Sequence, residues 1–123
     1  MTAIMKKTKK PTPSESEEQI TVIEYCDLKG IPIYHIANEG KRTRFTGDLL
    51  KRMGMRTGFP DLCIPVPKGK YHGFYIEMKS QSGKPTKDQI SWLKRLKEQG
   101  YATAICYGAG EAIQIIEKYM KLK

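Results

Sequence analysis

Residues Gly58–Lys79 read GFPDLCIPVPKGKYHGFYIEMK, and the rest of the chain is arranged around them. The apolar run Leu62–Pro67 and the run Tyr71–Ser80 flank a turn-like Lys68-Gly69-Lys70, the pattern of a β-hairpin. Side chains alternate along a strand, so residues two apart share a face. Phe74, Ile76 and Met78 are expected to point one way, and Tyr75, Glu77 and Lys79 the other. Glu77 and Lys79 then sit side by side, roughly 7 Å apart along the strand. The hairpin returns Asp61 to the end of the second strand, so Asp61, Glu77 and Lys79 are expected to converge.

Such a convergence has a chemical use. Two carboxylates on rigid strands form a hard oxygen site that suits Mg²⁺ or Mn²⁺. An ion of that kind polarises a phosphoryl oxygen and lowers the pKa of a bound water. A neighbouring lysine can orient the water or offset charge on the pentavalent phosphate. A bare Glu-x-Lys on a strand is most often an ordinary solvent-facing pair. Pro60-Asp61, a hairpin and Glu-x-Lys together, in a basic chain, favour a site.

Pro60-Asp61 followed by Glu77-Met78-Lys79 resembles the PD-(D/E)xK nuclease superfamily. The context narrows the resemblance: Asn38-Glu39-Gly40-Lys41-Arg42, Gly54, Gly58-Phe59-Pro60-Asp61-Leu62, and Gln89 followed by Trp92 and Leu93. Together they look like the VRR-Nuc (virus-type replication-repair nuclease) domain, in the small stand-alone form found in phages. The likeness runs from about residue 15 to residue 120. It implies a restriction-endonuclease-like α/β core and roles for matching positions. Asp61 and Glu77 would ligate the metal with the Met78 carbonyl, and Lys79 would be the catalytic lysine. Gln89 would match the glutamine that follows the core motif. A glutamate on the first helix would complete the site, with Glu18 the choice and Glu15 and Glu17 close by. The resemblance also implies a homodimer selective for DNA structure, similar to Holliday junction resolvases.

The chain has 123 residues, enough for one domain with one modest core. It is 39% hydrophobic and 28% charged, an ordinary globular balance. A net charge of +9 suits a polyanionic partner, nucleic acid before membrane. Cys26, Cys63 and Cys106 lie far apart in apolar runs, without zinc-ligand spacing. They read as buried reduced thiols, hence a reducing cytoplasm, that of a bacterial host if the gene is a phage's. No apolar run approaches the roughly 20 residues that span a bilayer, and the N-terminus has no signal-peptide core.

Taken in order, residues 1–13 carry Lys6, Lys7, Lys9 and Lys10 with two prolines and read as a disordered basic tail ahead of a domain at 14–123. Ser14-x-x-Glu17 and Ser16-x-x-Gln19 both fit a capping box. The helix they open runs to about Lys29, with Ile20, Val22, Ile23, Cys26 and Leu28 on its apolar face, and Gly30 stops it. Its glutamates serve capping on the plain reading. Ile31–Ala37 reads as a strand, started near an edge by Pro32. His35 among apolar neighbours reads as structural rather than as a base, and Asn38-Glu39-Gly40 as a turn.

Lys41, Arg42, Arg44, Lys51, Arg52 and Arg56 face only Asp48 in charge. They surround a short helix that Thr46 could cap, ending at Gly54. This reads as a phosphate-gripping wall that recognises shape rather than base sequence. After the hairpin, Ser80–Pro85 is a polar loop from which Lys84 and Lys87 could reach a DNA backbone. Thr86-x-x-Gln89 fits a capping box for a helix with Ile90, Leu93 and Leu96 that ends at Gly100. Capping and a site role compete for Gln89. Trp92 reads as core. Tyr101–Tyr107 is apolar on both faces and reads as a central strand. Gly108 and Gly110 break it, and Glu111–Lys121 forms an amphipathic helix with Ile113, Ile116 and Met120 on one side. The sum is a mixed sheet flanked by helices.

The leading expectation is a Mg²⁺- or Mn²⁺-dependent endodeoxyribonuclease for branched DNA. A nickase or flap nuclease of broad specificity is the second. A catalytically silent DNA-binding module is the third, and RNA as substrate a fourth, without any aromatic RNA-recognition motif.

Overall fold

A computed structural model of the chain describes residues 13–37 and 44–123. The expected basic tail up to residue 12, the turn at 38–40, and Lys41 and Arg42 lie outside the described residues.

The first helix, α1 (Glu15–Lys29), forms as its ends dictate. The Ser14 hydroxyl accepts the Glu17 N–H at 3.1 Å, so Ser14 and not Ser16 is the N-cap. Three acids in the first turn suit the positive end of the helix dipole. Gly30 closes it in the left-handed region at φ 71°, where a side chain would be strained. Strand β1 is only Tyr34–His35, shorter than the expected Ile31–Ala37. Pro32 has no N–H to give a ladder, so pairing begins after it. Helix α2 spans Arg44–Arg52 and places Thr46 inside it rather than at its cap.

The hairpin is present as β2 (Leu62–Ile64) and β3 (Phe74–Lys79), antiparallel, with Leu62 opposite Ile76 and Ile64 opposite Phe74. Helix α3 (Lys87–Glu98) returns the chain so that β4 (Ala102–Tyr107) lies parallel to β3, with Phe74 opposite Ala102. Helix α4 (Ala109–Met120) follows at once. It begins two residues earlier than expected and takes Gly110 into its first turn. The sheet order is β1-β2-β3-β4. Strand β4 is therefore at an edge, not central. Its two-sided apolarity comes from cover by α3 and α4, against both of which it packs.

The alternation along β3 separates two faces. Leu62, Ile64, Phe74, Ile76, Met78 and Cys106 point into one core with Val22 and Cys26 of α1 and Ala112, Ile116 and Tyr119 of α4. Removing one such side chain, as in Ile76→Ala, typically costs about 2–5 kcal/mol. The opposite face carries Cys63, Tyr75, Glu77 and Lys79 and is covered by α3 through buried Gln89 and Leu93. Both faces of the hairpin are thus dry, and the second one holds the charged groups. Three expected core residues, Ile20, Leu28 and Ile90, are exposed instead. On α1 the packed stripe is the narrower Val22–Cys26 pair, four residues apart on one side of the helix. The three cysteines are free and buried, as expected. No helix among the described residues is long and apolar enough to cross a membrane.

Candidate active site

Asp61 immediately precedes β2, and one more step along the ladder sets it opposite Glu77. Its Oδ2 accepts the Met78 backbone N–H at 2.8 Å, which holds the carboxylate against β3. Its carbonyl accepts the Ile36 N–H at 2.7 Å and lies 2.9 Å from His35 Nδ1. The segment of β1 therefore fixes the aspartate's main chain while β3 fixes its side chain. His35 takes the structural place expected of it.

Two residues apart on β3, Lys79 Nζ stands 3.8 Å from Glu77 Oε1. Asp61, Glu77 and Lys79 keep only 5%, 2% and 9% of their surface exposed. Charges this deep need compensation, since an isolated buried ion is strongly disfavoured. Here opposite charges lie within ion-pair reach. Gln89 adds a neutral contact: its Nε2 donates to Glu77 Oε1 at 2.7 Å.

The same glutamine completes the capping box of α3. The Thr86 hydroxyl accepts the Gln89 N–H at 3.2 Å, and Gln89 Oε1 accepts the Thr86 N–H at 2.8 Å. Capping and contact with Glu77 do not compete. The two ends of one amide do both, because the first turn of α3 lies over β3. The loop before Asp61 makes this approach possible. A Cβ on Gly58 would come within 2.7 Å of Asp88 Cβ, and its φ of 82° already favours glycine. No spacing rule exposes that contact; only the Gly-Phe-Pro-Asp spelling hints at a special backbone.

Glu18 lies beside Lys79's end of β3, at the start of α4. Its Oε2 accepts the Ala109 N–H, capping α4, whose own N-cap is Gly108 with no side chain to offer. The site is near, since the Gly108 N–H donates to the Lys79 carbonyl at 3.3 Å. Gln81, unremarked in the sequence, donates to the Tyr107 carbonyl at 3.3 Å at this junction. Glu17 is exposed and Glu15 half-buried at the start of α1. Among the described residues no group of three or more His, Cys, Asp or Glu side chains is placed to hold a metal. The carboxylates at hand are thus those of Asp61 and Glu77. That set fits Mg²⁺, which takes one or two carboxylates and keeps several waters, better than Zn²⁺ with its nitrogen and sulfur ligands.

Exposed cations flank the site in sequence. Arg56 is two residues before Gly58, and Lys87 two before Gln89. Lys84 follows Gly83, where a Cβ would lie 3.4 Å from Lys79 Cδ. Lys51 and Arg52 occupy the last turn of α2, and Arg44 opens it. Trp92 is half-buried against Phe59, ring centroids 5.0 Å apart, with the Arg95 guanidinium 4.1 Å from its centroid. Phe59 also meets Tyr75 edge-on at 5.5 Å. Burial pushes the Tyr75 hydroxyl up to about 12, so the phenol beside Glu77 stays neutral.

The model of one family, the VRR-NUC domain, matches residues 15–110. The chain belongs to the VRR-NUC domain family. That makes it a nuclease-type domain, with DNA as its class of partner. A solved structure described as a VRR_NUC domain protein is 28% identical, covers 91% of this chain and 92% of its own, and superposes with a TM-score of 0.78. A second, described as a VRR_NUC domain, is 21% identical over 85% of this chain and 96% of its own, with a TM-score of 0.58, and shares the fold. No curated protein matches. The VRR-NUC match covers both the Asp61 turn and the β3 strand.

Proposed function

We propose that this VRR-NUC domain is a metal-dependent, structure-selective endodeoxyribonuclease that cuts branched DNA in the manner of a Holliday junction resolvase. The meeting of Asp61, Glu77 and Lys79 on the dry face of the hairpin carries this reading. The one-sided cations around it supply phosphate contacts.

Asp61, Glu77 and the Met78 carbonyl would hold a Mg²⁺ or Mn²⁺ ion. When bound, such an ion supplies Lewis-acid polarisation of the phosphate and a more acidic water. Around it the chain does the rest. Met78 N–H orients Asp61, and the Gln89 amide orients Glu77. Lys79 places a positive charge where negative charge grows on the phosphate oxygens. Burial of all three keeps that charge poorly screened by water. Exposed Lys51, Arg52, Arg56, Lys84 and Lys87, with Arg44, Lys41 and Arg42, grip the backbone without reading bases. A four-way junction has two symmetric scission points, and a two-fold homodimer would match them. A single domain of 123 residues offers few surfaces for such a substrate.

The test is cleavage of labelled four-way junction, flap and linear duplex DNA with Mg²⁺, Mn²⁺ or EDTA. Paired symmetric cuts in the junction, at least about tenfold faster than in duplex, are expected with either metal. Equal cutting of all three would assign a nuclease of broad specificity. Junction binding without cutting would leave a binding module.

A further inference from the structure

Beside the Asp61 turn the surface opens into a cleft of about 260 Å³, of whose lining only Arg56 has a role above. It is lined by Ile36, Ala37, Gly54, Met55, Arg56 and Phe59. Its position follows from contacts already described. The Ile36 N–H on one wall donates to the Asp61 carbonyl at 2.7 Å. Phe59, on another, is two residues from Asp61, and its ring is fixed edge-on by Tyr75 and Trp92. Tyr75 shares the sheet face of Glu77 and Lys79, so the cleft opens on the side of the site. The remaining wall is held in place by main-chain bonds. The Gly54 N–H donates to the Lys51 carbonyl at 3.0 Å, and the Met55 N–H to the Leu50 carbonyl at 2.9 Å.

The lining has a specific chemistry. One aromatic ring, a thioether and two aliphatic side chains give an apolar interior, and among the described residues Arg56 supplies the charge. The volume is below the roughly 300–1,000 Å³ of pockets that take drug-sized ligands, so there is room for one flat ring system. A nucleobase has a π-face for Phe59 and a flanking phosphate for Arg56. Bases within an intact duplex are stacked and cannot enter. Extruding one is costly, and least so where pairing is already broken.

We propose that this cleft captures one unstacked nucleobase next to the scissile phosphate, and that the capture helps the enzyme prefer branched to linear DNA. The inference rests on the nuclease reading above and names how the same site selects its substrate. Arg56 then serves two ends, phosphate grip and base pocket, and Ala37 stands where a larger side chain would fill the space.

The experiment places 2-aminopurine in turn at each nucleotide of the branch point of a four-way junction. Its emission is followed on adding wild-type protein or Ala37→Trp in EDTA, where no cutting is expected. Anisotropy confirms binding, and circular dichroism confirms folding. The wild type is expected to change the emission of one or two positions only, and Ala37→Trp to abolish that change on bound junction. A junction made abasic at a responsive position is expected to bind wild-type protein about tenfold more weakly, the value of one base–aromatic stack. That second measurement needs no variant to fold. An emission change of equal size with both proteins, no change at any position, or full affinity for the abasic junction would each overturn the inference. Because these readings are made in EDTA, they stand apart from failure of the nuclease reading, which shows as absence of cutting with Mg²⁺ or Mn²⁺.

Discussion

Gln89 is the residue where architecture and chemistry meet. Its carbonyl end closes the capping box of α3 and its amide end holds Glu77. The two tasks separate by substitution. Thr86→Ala removes the capping hydroxyl and is expected to lower stability by about 1 kcal/mol in urea denaturation, with the cleavage rate near wild type. Gln89→Ala removes the reciprocal half of the box and Glu77's donor as well, a charge-assisted bond of about 1.5–3 kcal/mol. It is expected to lose more stability and to slow cleavage. Equal rates for the two variants would deny Gln89 any part in the site. How much of this was legible depends on the kind of signal. The alternation of FYIEMK placed Glu77 and Lys79 opposite the core, because a strand's period of two leaves no other arrangement. Gln89's double role was not legible, because it depends on how near α3 approaches β3. That distance is set by Gly58, whose missing side chain leaves room for Asp88 and Gln89.

Helix α4 shows the opposite limit. Its N-terminus has only glycine at the cap position, and the missing acceptor comes from Glu18, across the core on α1. The acidic run Glu15–Glu18 looks like ordinary first-turn chemistry of α1, and Glu15 and Glu17 can be read that way. Only the packing of α1 on α4 turns Glu18 to its neighbour's end. Glu18→Ala is expected to cost about 1 kcal/mol in chemical denaturation, and Glu18→Gln, which keeps an acceptor oxygen, to recover most of it. If Glu18→Gln is as unstable as Glu18→Ala, the capping role fails. The placement of β4 was illegible for a related reason. An apolar strand reads the same whether strands or helices cover it, and here α3 and α4 do. Strand β1 was legible in place but not in length, since pairing with Cys63 and Leu62 reaches only Tyr34 and His35.

Taken as one body, the chain holds several of its weak acids in protonated form. Burial pushes Cys26 up to about 11 and Cys106 to about 12, from 9.0. A hydrogen bond to Cys63, with burial, carries Tyr34 to about 12, and burial carries Tyr75 there too, both from 10.0. Once unfolded, these groups lose protons near pH 9 and 10, while the folded chain still holds them. The unfolded state therefore binds fewer protons in this range, and stability falls as pH rises. The contribution is complete below pH 9 and lost between about pH 9 and 12. The urea midpoint is expected to drop steadily above pH 9, and a midpoint that holds or rises there would contradict the assignment. The hairpin carries the proposal that Asp61, brought beside Glu77 and Lys79, belongs to a metal-dependent nuclease site. The most direct measurement is single-turnover cleavage of a labelled four-way junction by wild type and Asp61→Ala, with Mg²⁺ or EDTA. Wild type should cut with Mg²⁺ and stop in EDTA, while folded Asp61→Ala binds the junction and cuts at least about 10²-fold more slowly. Cutting that survives EDTA, or an Asp61→Ala protein as fast as wild type, would contradict it.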